Sequence, residues 1–255
     1  LDVEEPNLHL FLHPDLRASE VVYMPIPKVD EERCTSCRKC VDICQFKAIT
    51  IWSTTVMVFP EMCHGCGGCK AVCPEGAISD DRRELGELVQ GFTGTTPYLM
   101  GRLRIGEAMS PPLMRAVKKQ MTVQAAAGAR DVLIDAPPGV SCPAVCAVID
   151  SDYLILVTEP TPFGFHDFRL AVEAFAPFDI PLGVVINRAG HGDQAVYDYC
   201  REKGLHILAE IPYDRAIAEA YANGRLAAGV SAEYRRLFEG IRDSVRSAFK
   251  EAAHA

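Results

Sequence analysis

Cys34-Thr35-Ser36-Cys37-Arg38-Lys39-Cys40-Val41-Asp42-Ile43-Cys44 returns farther along the chain as Cys63-His64-Gly65-Cys66-Gly67-Gly68-Cys69-Lys70-Ala71-Val72-Cys73. Each run continues after three more residues into Ala-Ile, as Ala48-Ile49 and Ala77-Ile78. The unit Cys-x2-Cys-x2-Cys-x3-Cys-x3-Ala-Ile is therefore an internal repeat, and two copies predict a module with pseudo-twofold symmetry. Between them, residues 49–59 are rich in β-branched and aromatic side chains, which predicts a short hairpin. Disulfides are the wrong reading for cysteines crowded at this spacing behind an N-terminus without the basic and apolar regions of a signal peptide. They read as thiolate ligands.

Three thiolates at two-residue gaps can surround one inorganic core, while the fourth, at the start of the next segment, points away from it. This is the spacing of bacterial ferredoxins, whose fourth cysteine serves the other cluster. The expected ligands are Cys34, Cys37, Cys40 and Cys73 for one [4Fe–4S] cluster, and Cys63, Cys66, Cys69 and Cys44 for the second. Gly65, Gly67 and Gly68 remove bulk beside the second cluster and allow left-handed backbone. Pro74 completes a Cys-Pro signature that Gln45 does not reproduce in the first run. Thiolates also suit zinc, but zinc ribbons use separated cysteine pairs, so the repeated two-residue gaps favour iron–sulfur clusters. His64 is expected to be solvated, since cysteines fill all the ligand positions. Two clusters sharing ligands lie close together, and electron hopping is their natural use.

Outward from this module, 255 residues with 49% hydrophobic composition can bury a full core. A net charge of −8, without a basic block, argues against nucleic acid as a partner. No apolar run reaches the length of a membrane-spanning helix, and a cytoplasmic location is expected. The segment Val21-Val22-Tyr23-Met24-Pro25-Ile26-Pro27 predicts a junction before the cysteines. Beyond residue 80, strands are expected near 87–91 and 101–105 and a helix from Pro111 toward Ala127. Apolar runs at 132–134, 153–157, 182–186 and 206–211 then alternate with helical segments near 142–150, 164–176, 192–203 and 214–222. Short runs apolar on both faces with intervening helices predict a parallel sheet, hence an α/β domain. The last helix, 232–252, carries a broad apolar stripe above a polar face of mixed charge, which predicts packing on its own sheet rather than on a membrane.

Val132-Leu133-Ile134-Asp135-Ala136-Pro137-Pro138-Gly139 is an apolar run ending in an acid and a Pro-rich turn with glycine. In a phosphate-binding α/β fold such an acid can hold a Mg²⁺-bound water, and the glycine can approach a γ-phosphate. A helix cap or buried turn would use the same residues. With Asp2-Val3-Glu4-Glu5-Pro6-Asn7, Thr158-Glu159-Pro160-Thr161-Pro162-Phe163-Gly164, Val185-Ile186-Asn187-Arg188 and Glu210-Ile211-Pro212-Tyr213-Asp214, this segment resembles MinD/ParA-type P-loop ATPases containing an inserted ferredoxin domain. That group is related to the Mrp/Nbp35 iron–sulfur carriers and the nitrogenase iron protein, which dimerise around nucleotide.

The resemblance implies a parallel-sheet, MinD-like P-loop NTPase core with an inserted α+β bacterial-type 2[4Fe–4S] ferredoxin domain. Residues 1–27 and 81–255 would form the core and residues 28–80 the insert. It implies that Asp2 orients the attacking water, that Asn7 shares its loop, and that Asp135 serves the Mg²⁺ shell with Pro138 and Gly139 in the same switch. Asn187 and Arg188 would sit at the adenine, and Pro212, Tyr213 and Asp214 would line the other side of the base. The phosphate-wrapping Gly-x4-Gly-Lys-Ser/Thr run is absent from these residues. The family carries it upstream of the Asp2 loop, and a chain starting inside a motif with Leu1 is expected to have lost it, so ATP, ADP and Mg²⁺ are cofactors only where that loop is present. The expected function is an ATPase coupling nucleotide hydrolysis to electron transfer through two [4Fe–4S] clusters. The alternatives are a cluster assembly or carrier protein and a non-hydrolysing electron carrier. A redox protein is the expected partner, with a homodimer or a heterodimer with a related ATPase. Of the remaining cysteines, Cys200 reads as buried packing, and Cys142 and Cys146 as buried thiols or, in a dimer, a further metal site.

Overall fold

The computed structural model describes residues 1–128 and 131–252, with side chains to Phe249. In chain order its elements are α1 (His9–Leu12), β1 (Asp15–Val29), α2 (Lys39–Ile43), β2 (Ile49–Trp52), β3 (Thr55–Val58), α3 (Gly68–Ala71), β4 (Ile78–Thr93), β5 (Thr96–Leu103), α4 (Ser110–Ala126), α5 (Cys142–Val148), β6 (Leu154–Thr158), α6 (Pro162–Phe175), β7 (Leu182–Ala189), α7 (Ala195–Lys203), β8 (His206–Pro212), α8 (Arg215–Ala222) and α9 (Ala232–Ala252). They fall into two compact units, one of Leu1–Pro6 with Pro14–Asp135 and one of Asn7–His13 with Ala136–Ala255.

The first unit is organised by an antiparallel sheet in the order β1-β4-β5. β1 and β4 pair from Asp15↔Phe92 to Val29↔Ile78, so one ribbon runs from the core out to the cysteine-rich segment that joins its strands. At ~3.4 Å per residue the 15 residues of β1 span about 50 Å. β4 turns into β5 through Gly94, whose φ of 60° suits a tight hairpin. α4 covers the sheet, burying Leu113, Met114 and Val117 with Leu85, Val89 and Met100. At Gly101 a Cβ would come within 2.6 Å of the Val3 side chain, so the glycine lets the 2–6 loop approach the strand.

Much of this ribbon was hidden in the sequence. The expected strand at 87–91 lies inside the longer β4, and the expected junction at Pro25-Ile26-Pro27 lies inside β1. Both prolines fit because β1 is an edge strand, where a missing N–H costs no ladder bond. Most of β1 up to Val21 is exposed, so apolar alternation gave no signal.

The second unit holds a parallel sheet in the order β6-β7-β8. Gly183–Ile186 in central β7 are all buried, the pattern of a strand covered on both faces. Phe168 of α6 and Val196, Tyr199 and Cys200 of α7 pack on Val184 and Ile186. Ala144 and Val148 of α5 pack with Phe175. α9 packs on β8, as its stripe predicted, and Cys200 is buried. The expected strand at 132–134 is a correction. This stretch joins no ladder, and Leu133 is 91% exposed. A strand exists through its hydrogen-bonded neighbours, and the described residues offer this run none. Among the described residues no helix is long and apolar enough to cross a membrane.

Candidate functional site

The two cysteine runs build two cavities. The first is lined by Cys34, Cys37, Cys40 and Cys73, and its apolar wall includes Val29 and Val56. The second is lined by Cys44, Cys63, Cys66 and Cys69, walled by Ile43 and Phe46. Each cavity thus receives three thiols from one run and the last thiol of the other. Local structure explains the exchange. Arg38 is left-handed and opens α2, which carries Cys40 and delivers Cys44 at its C-cap, while left-handed Gly67 opens α3, with Cys73 just beyond it.

The backbone repeats even where the residue types do not. Left-handed positions fall at Ser36, Arg38 and Lys47 (φ 55°, 66° and 56°) in the first run and at Gly65, Gly67 and Gly76 (φ 65°, 73° and 56°) in the second. The three glycines take this conformation at no steric cost, whereas the other three pay for a Cβ. Sequence reading named Gly65, Gly67 and Gly68 for this role, but Gly68 is helical, and there was no signal for Gly76, Ser36, Arg38 or Lys47. At Gly65 a Cβ would also stand 2.9 Å from Met24 Cγ.

Sulfur is met by backbone donors. Gly65 N–H donates to Cys63 Sγ at 3.4 Å and Ala77 N–H to Cys73 Sγ at 3.3 Å. Desolvation pushes the Cys40 and Cys69 thiols above their ordinary value. Cys40 and Cys63 are buried, while Cys37 and Cys66 are exposed. His64 is exposed, as expected, and its ring stacks on that of Phe46, centroids 3.5 Å apart. Among the described residues no three His, Cys, Asp or Glu side chains gather around a single-ion position. A lone zinc would draw its sulfurs to ~2.3 Å of one point. Four thiols spread around an apolar-walled cavity suit a larger core with several metal corners, and the donor set fits a [4Fe–4S] cluster in each cavity.

The two acids expected at a nucleotide also meet. Asp2 N–H donates to the Asp135 carbonyl at 3.1 Å, and Asp2 Oδ1 accepts from Glu5 N–H at 3.2 Å. Partial burial pushes the Asp135 carboxyl above its ordinary value, and the Asp2 charge adds to the rise. Val3 is buried, and its carbonyl accepts from Leu103 N–H at 2.9 Å, fixing the loop to the end of β5. In the second unit Asn7 is exposed and its carbonyl accepts from Leu10 N–H at the start of α1, while Pro138 and Gly139 lie exposed before α5.

Asn187, Arg188, Pro212, Tyr213 and Asp214 gather at the carboxyl ends of β7 and β8, the edge at which open α/β sheets bind ligands. Asn187 pairs with Ile211 across the ladder. Arg188, left-handed at φ 52°, reaches Glu159 after β6 at 3.3 Å. The Tyr213 ring lies 4.8 Å from His191. Asp214 is engaged structurally: it caps α8 by accepting from Ala216 N–H at 2.7 Å and accepts the Tyr234 hydroxyl at 2.7 Å. The Tyr234 bond holds the Asp214 carboxyl below its ordinary value and pushes Tyr234 up to about 12. Gly192 was not singled out from sequence, yet its φ is +130° and a Cβ there would overlap the Pro160 carbonyl at 1.5 Å. Cys142 is exposed and Cys146 half-buried, one turn apart on α5.

Residues 33–77 match the 4Fe-4S dicluster domain family, a span that contains both cysteine runs. Over 250 residues the chain is 30% identical to the uncharacterized protein MJ0578 of Methanocaldococcus jannaschii, covering 96% of this chain and 84% of that protein. A stretch of 67 residues is 45% identical to indolepyruvate oxidoreductase subunit IorA of Pyrococcus horikoshii, 25% of this chain and 10% of that one. The septum site-determining protein MinD from Pyrococcus horikoshii OT3, solved with Mg-ADP, superposes with a TM-score of 0.51 at 17% identity, covering 96% of this chain and 80% of that chain. The MinD fold is therefore shared, and within it lies a 4Fe-4S dicluster module.

Proposed function

The chain belongs to the family of the Methanocaldococcus jannaschii protein MJ0578, and from that premise we propose that it is an iron–sulfur ATPase in which nucleotide binding and hydrolysis gate electron transfer through two [4Fe–4S] clusters. The observation that carries this reading is the β1–β4 ribbon. One continuous ladder joins the cysteine module to the sheet that also anchors the Asp2 loop, so a shift of that loop has a stiff element through which to act. Loops ordered by γ-phosphate and Mg²⁺ in one state and released in the other are the usual source of such a shift. The insert is residues 28–80, with the core in 1–27 and 81–255.

When bound, the clusters supply one-electron storage at two neighbouring sites. Cys34, Cys37, Cys40 and Cys73 hold one and Cys44, Cys63, Cys66 and Cys69 the other. The exposed Cys37 and Cys66 lie where an electron partner gains its shortest approach. Asp135 would serve the Mg²⁺ shell and Asp2 would orient water, each held by the other's backbone. Asn187 and Tyr213, at the sheet's carboxyl edge, would meet the base. The oxidoreductase name of the relative matched over the cysteine region, and the nucleotide in the MinD structure, agree with these two halves.

The test uses the complete gene product purified without oxygen. Cluster reduction by a low-potential donor is followed by absorbance with Mg-ATP, with Mg-ADP and without nucleotide, and the rate or extent is expected to depend on nucleotide. The exposed Cys37 and Cys66 also suit a carrier whose clusters leave the protein. Intact transfer to an apo-acceptor without any nucleotide effect on reduction would select that reading instead.

A further inference from the structure

Arg83 of β4 and Glu107, in the turn before α4, form an ion pair of 2.6 Å with side chains 7% and 4% exposed. A buried pair of this kind is weak evidence for stability, because desolvation offsets its attraction, and its best attested use is to fix a register or a switch. Here Arg83 Nε is itself buried with no hydrogen-bond partner among the described residues, so the pair is incompletely satisfied even after desolvation. The guanidinium is spent instead on spanning two segments. Its second terminal nitrogen donates to the Pro60 carbonyl, which also accepts from Cys63 N–H at 3.1 Å. Arg83 therefore holds the turn that delivers the first thiol of the second cavity.

On the other side Glu107 Oε1 accepts from Ala108 N–H at 2.9 Å and Met109 N–H at 2.8 Å, fixing the entry to α4. The next residue, Ser110, is fully buried and donates through Oγ to Glu4 Oε1 at 2.8 Å. Glu4 sits in the loop whose Asp2 accepts from Glu5 N–H. Hydrogen bonds and three consecutive backbone residues thus connect Cys63 to the acidic loop at 2–6, all within the first unit.

We infer that the buried Arg83–Glu107 pair is a positioning couple that sets the Pro60–Cys63 turn and the 2–6 loop together, so that a change at the loop reaches the second cluster and not the first. This rests on the reading of the loop as the nucleotide-responsive element, but the coupling is measurable without nucleotide. The guanidinium fork is the working part. An ammonium cannot bridge a carbonyl and a carboxylate with the same planar geometry.

A double-mutant cycle tests it. Ser110→Ala cuts the link to Glu4 at a residue that lines neither cavity. Arg83→Met with Glu107→Gln removes both charges together and leaves an amide oxygen for the Ala108 and Met109 N–H groups. Two quantities are read: amide hydrogen exchange at residues 61–63 in the cluster-free protein, and the redox titration of each cluster, the second being the step lost in Cys66→Ser. In the otherwise unchanged protein Ser110→Ala is expected to speed exchange at 61–63 and to move the second cluster's reduction equilibrium by about threefold, leaving the first in place. In the Met/Gln background Ser110→Ala is expected to change neither. An equal effect in both backgrounds, no effect in either, or equal shifts of both clusters would overturn the inference. If the Met/Gln protein does not fold, Arg83→Lys takes its place with the same expected outcomes. An intact cycle with no ATP effect would retain the couple and reject nucleotide gating.

Discussion

The two cysteine runs share one backbone and reach it by different chemistry. The second uses glycine at each of its left-handed positions, 65, 67 and 76, where the first holds Ser36, Arg38 and Lys47 in the same conformation. A left-handed non-glycine residue costs roughly 1–2 kcal/mol. The first run is therefore the more strained half. What the comparison teaches is that the repeat is a repeat of geometry, which residue-by-residue similarity understates.

The largest expected effect tests the exchange of the fourth cysteines between runs. Cys73→Ala should remove the cluster of the first run and Cys44→Ala that of the second, each lowering bound iron by roughly half. Iron and sulfide analysis with electron paramagnetic resonance checks this, and loss of the cluster in the mutated run itself would break the assignment. Next in size is Gly65→Ala, which combines left-handed strain with a 2.9 Å approach to Met24 Cγ and should lower the stability of the cluster-free chain by about 1–2 kcal/mol or more, read from urea unfolding. Conversely, Arg38→Gly should raise that stability by about 0.5–1 kcal/mol, since relief of strain outweighs the entropy of the added glycine. If Arg38→Gly destabilises, the first run is not the strained half.

The smallest effect concerns what the runs have in common. Cys40 and Cys69 are equivalent positions, and in both desolvation raises the thiol. A raised value means that the fold prefers the protonated form. The stability this contributes is present below the ordinary thiol value of 9.0 and falls as pH rises through it, because unfolded thiols ionise first. The cluster-free chain should thus have a lower urea midpoint at pH 10 than at pH 8. Cys40→Ala and Cys69→Ala should each reduce that dependence, and a dependence abolished by only one of them would separate the two halves.

The module and the parallel sheet were legible because their signals are local. Cysteine spacing marks the first, and Leu182–Ala189 and His206–Pro212 are short apolar runs whose partners lie one helix away. β1 was not legible, because an exposed edge strand owes its existence to β4, far away in sequence, and its residues show no alternation. Val132–Ile134 failed in the opposite sense, having a strand's composition without a strand's neighbours among the described residues. The sequence singled out the cysteines that line the two cavities, and it singled out Asp2 and Asp135, whose backbones meet. It could not single out Arg83 and Glu107, since nothing in a sequence distinguishes a buried ion pair from the many exposed ones. Asp214 was named for a base contact, and its carboxylate is occupied by Ala216 N–H and the Tyr234 hydroxyl.

A reductive titration of the oxygen-free protein, with iron and sulfide counted on the same sample, tests the central claim most directly. Two [4Fe–4S] clusters predict about eight irons and two electrons taken up per chain, with both electrons lost stepwise as Cys44 and Cys73 are replaced. Bound zinc with no electron uptake, or a single redox step untouched by either replacement, would contradict the account.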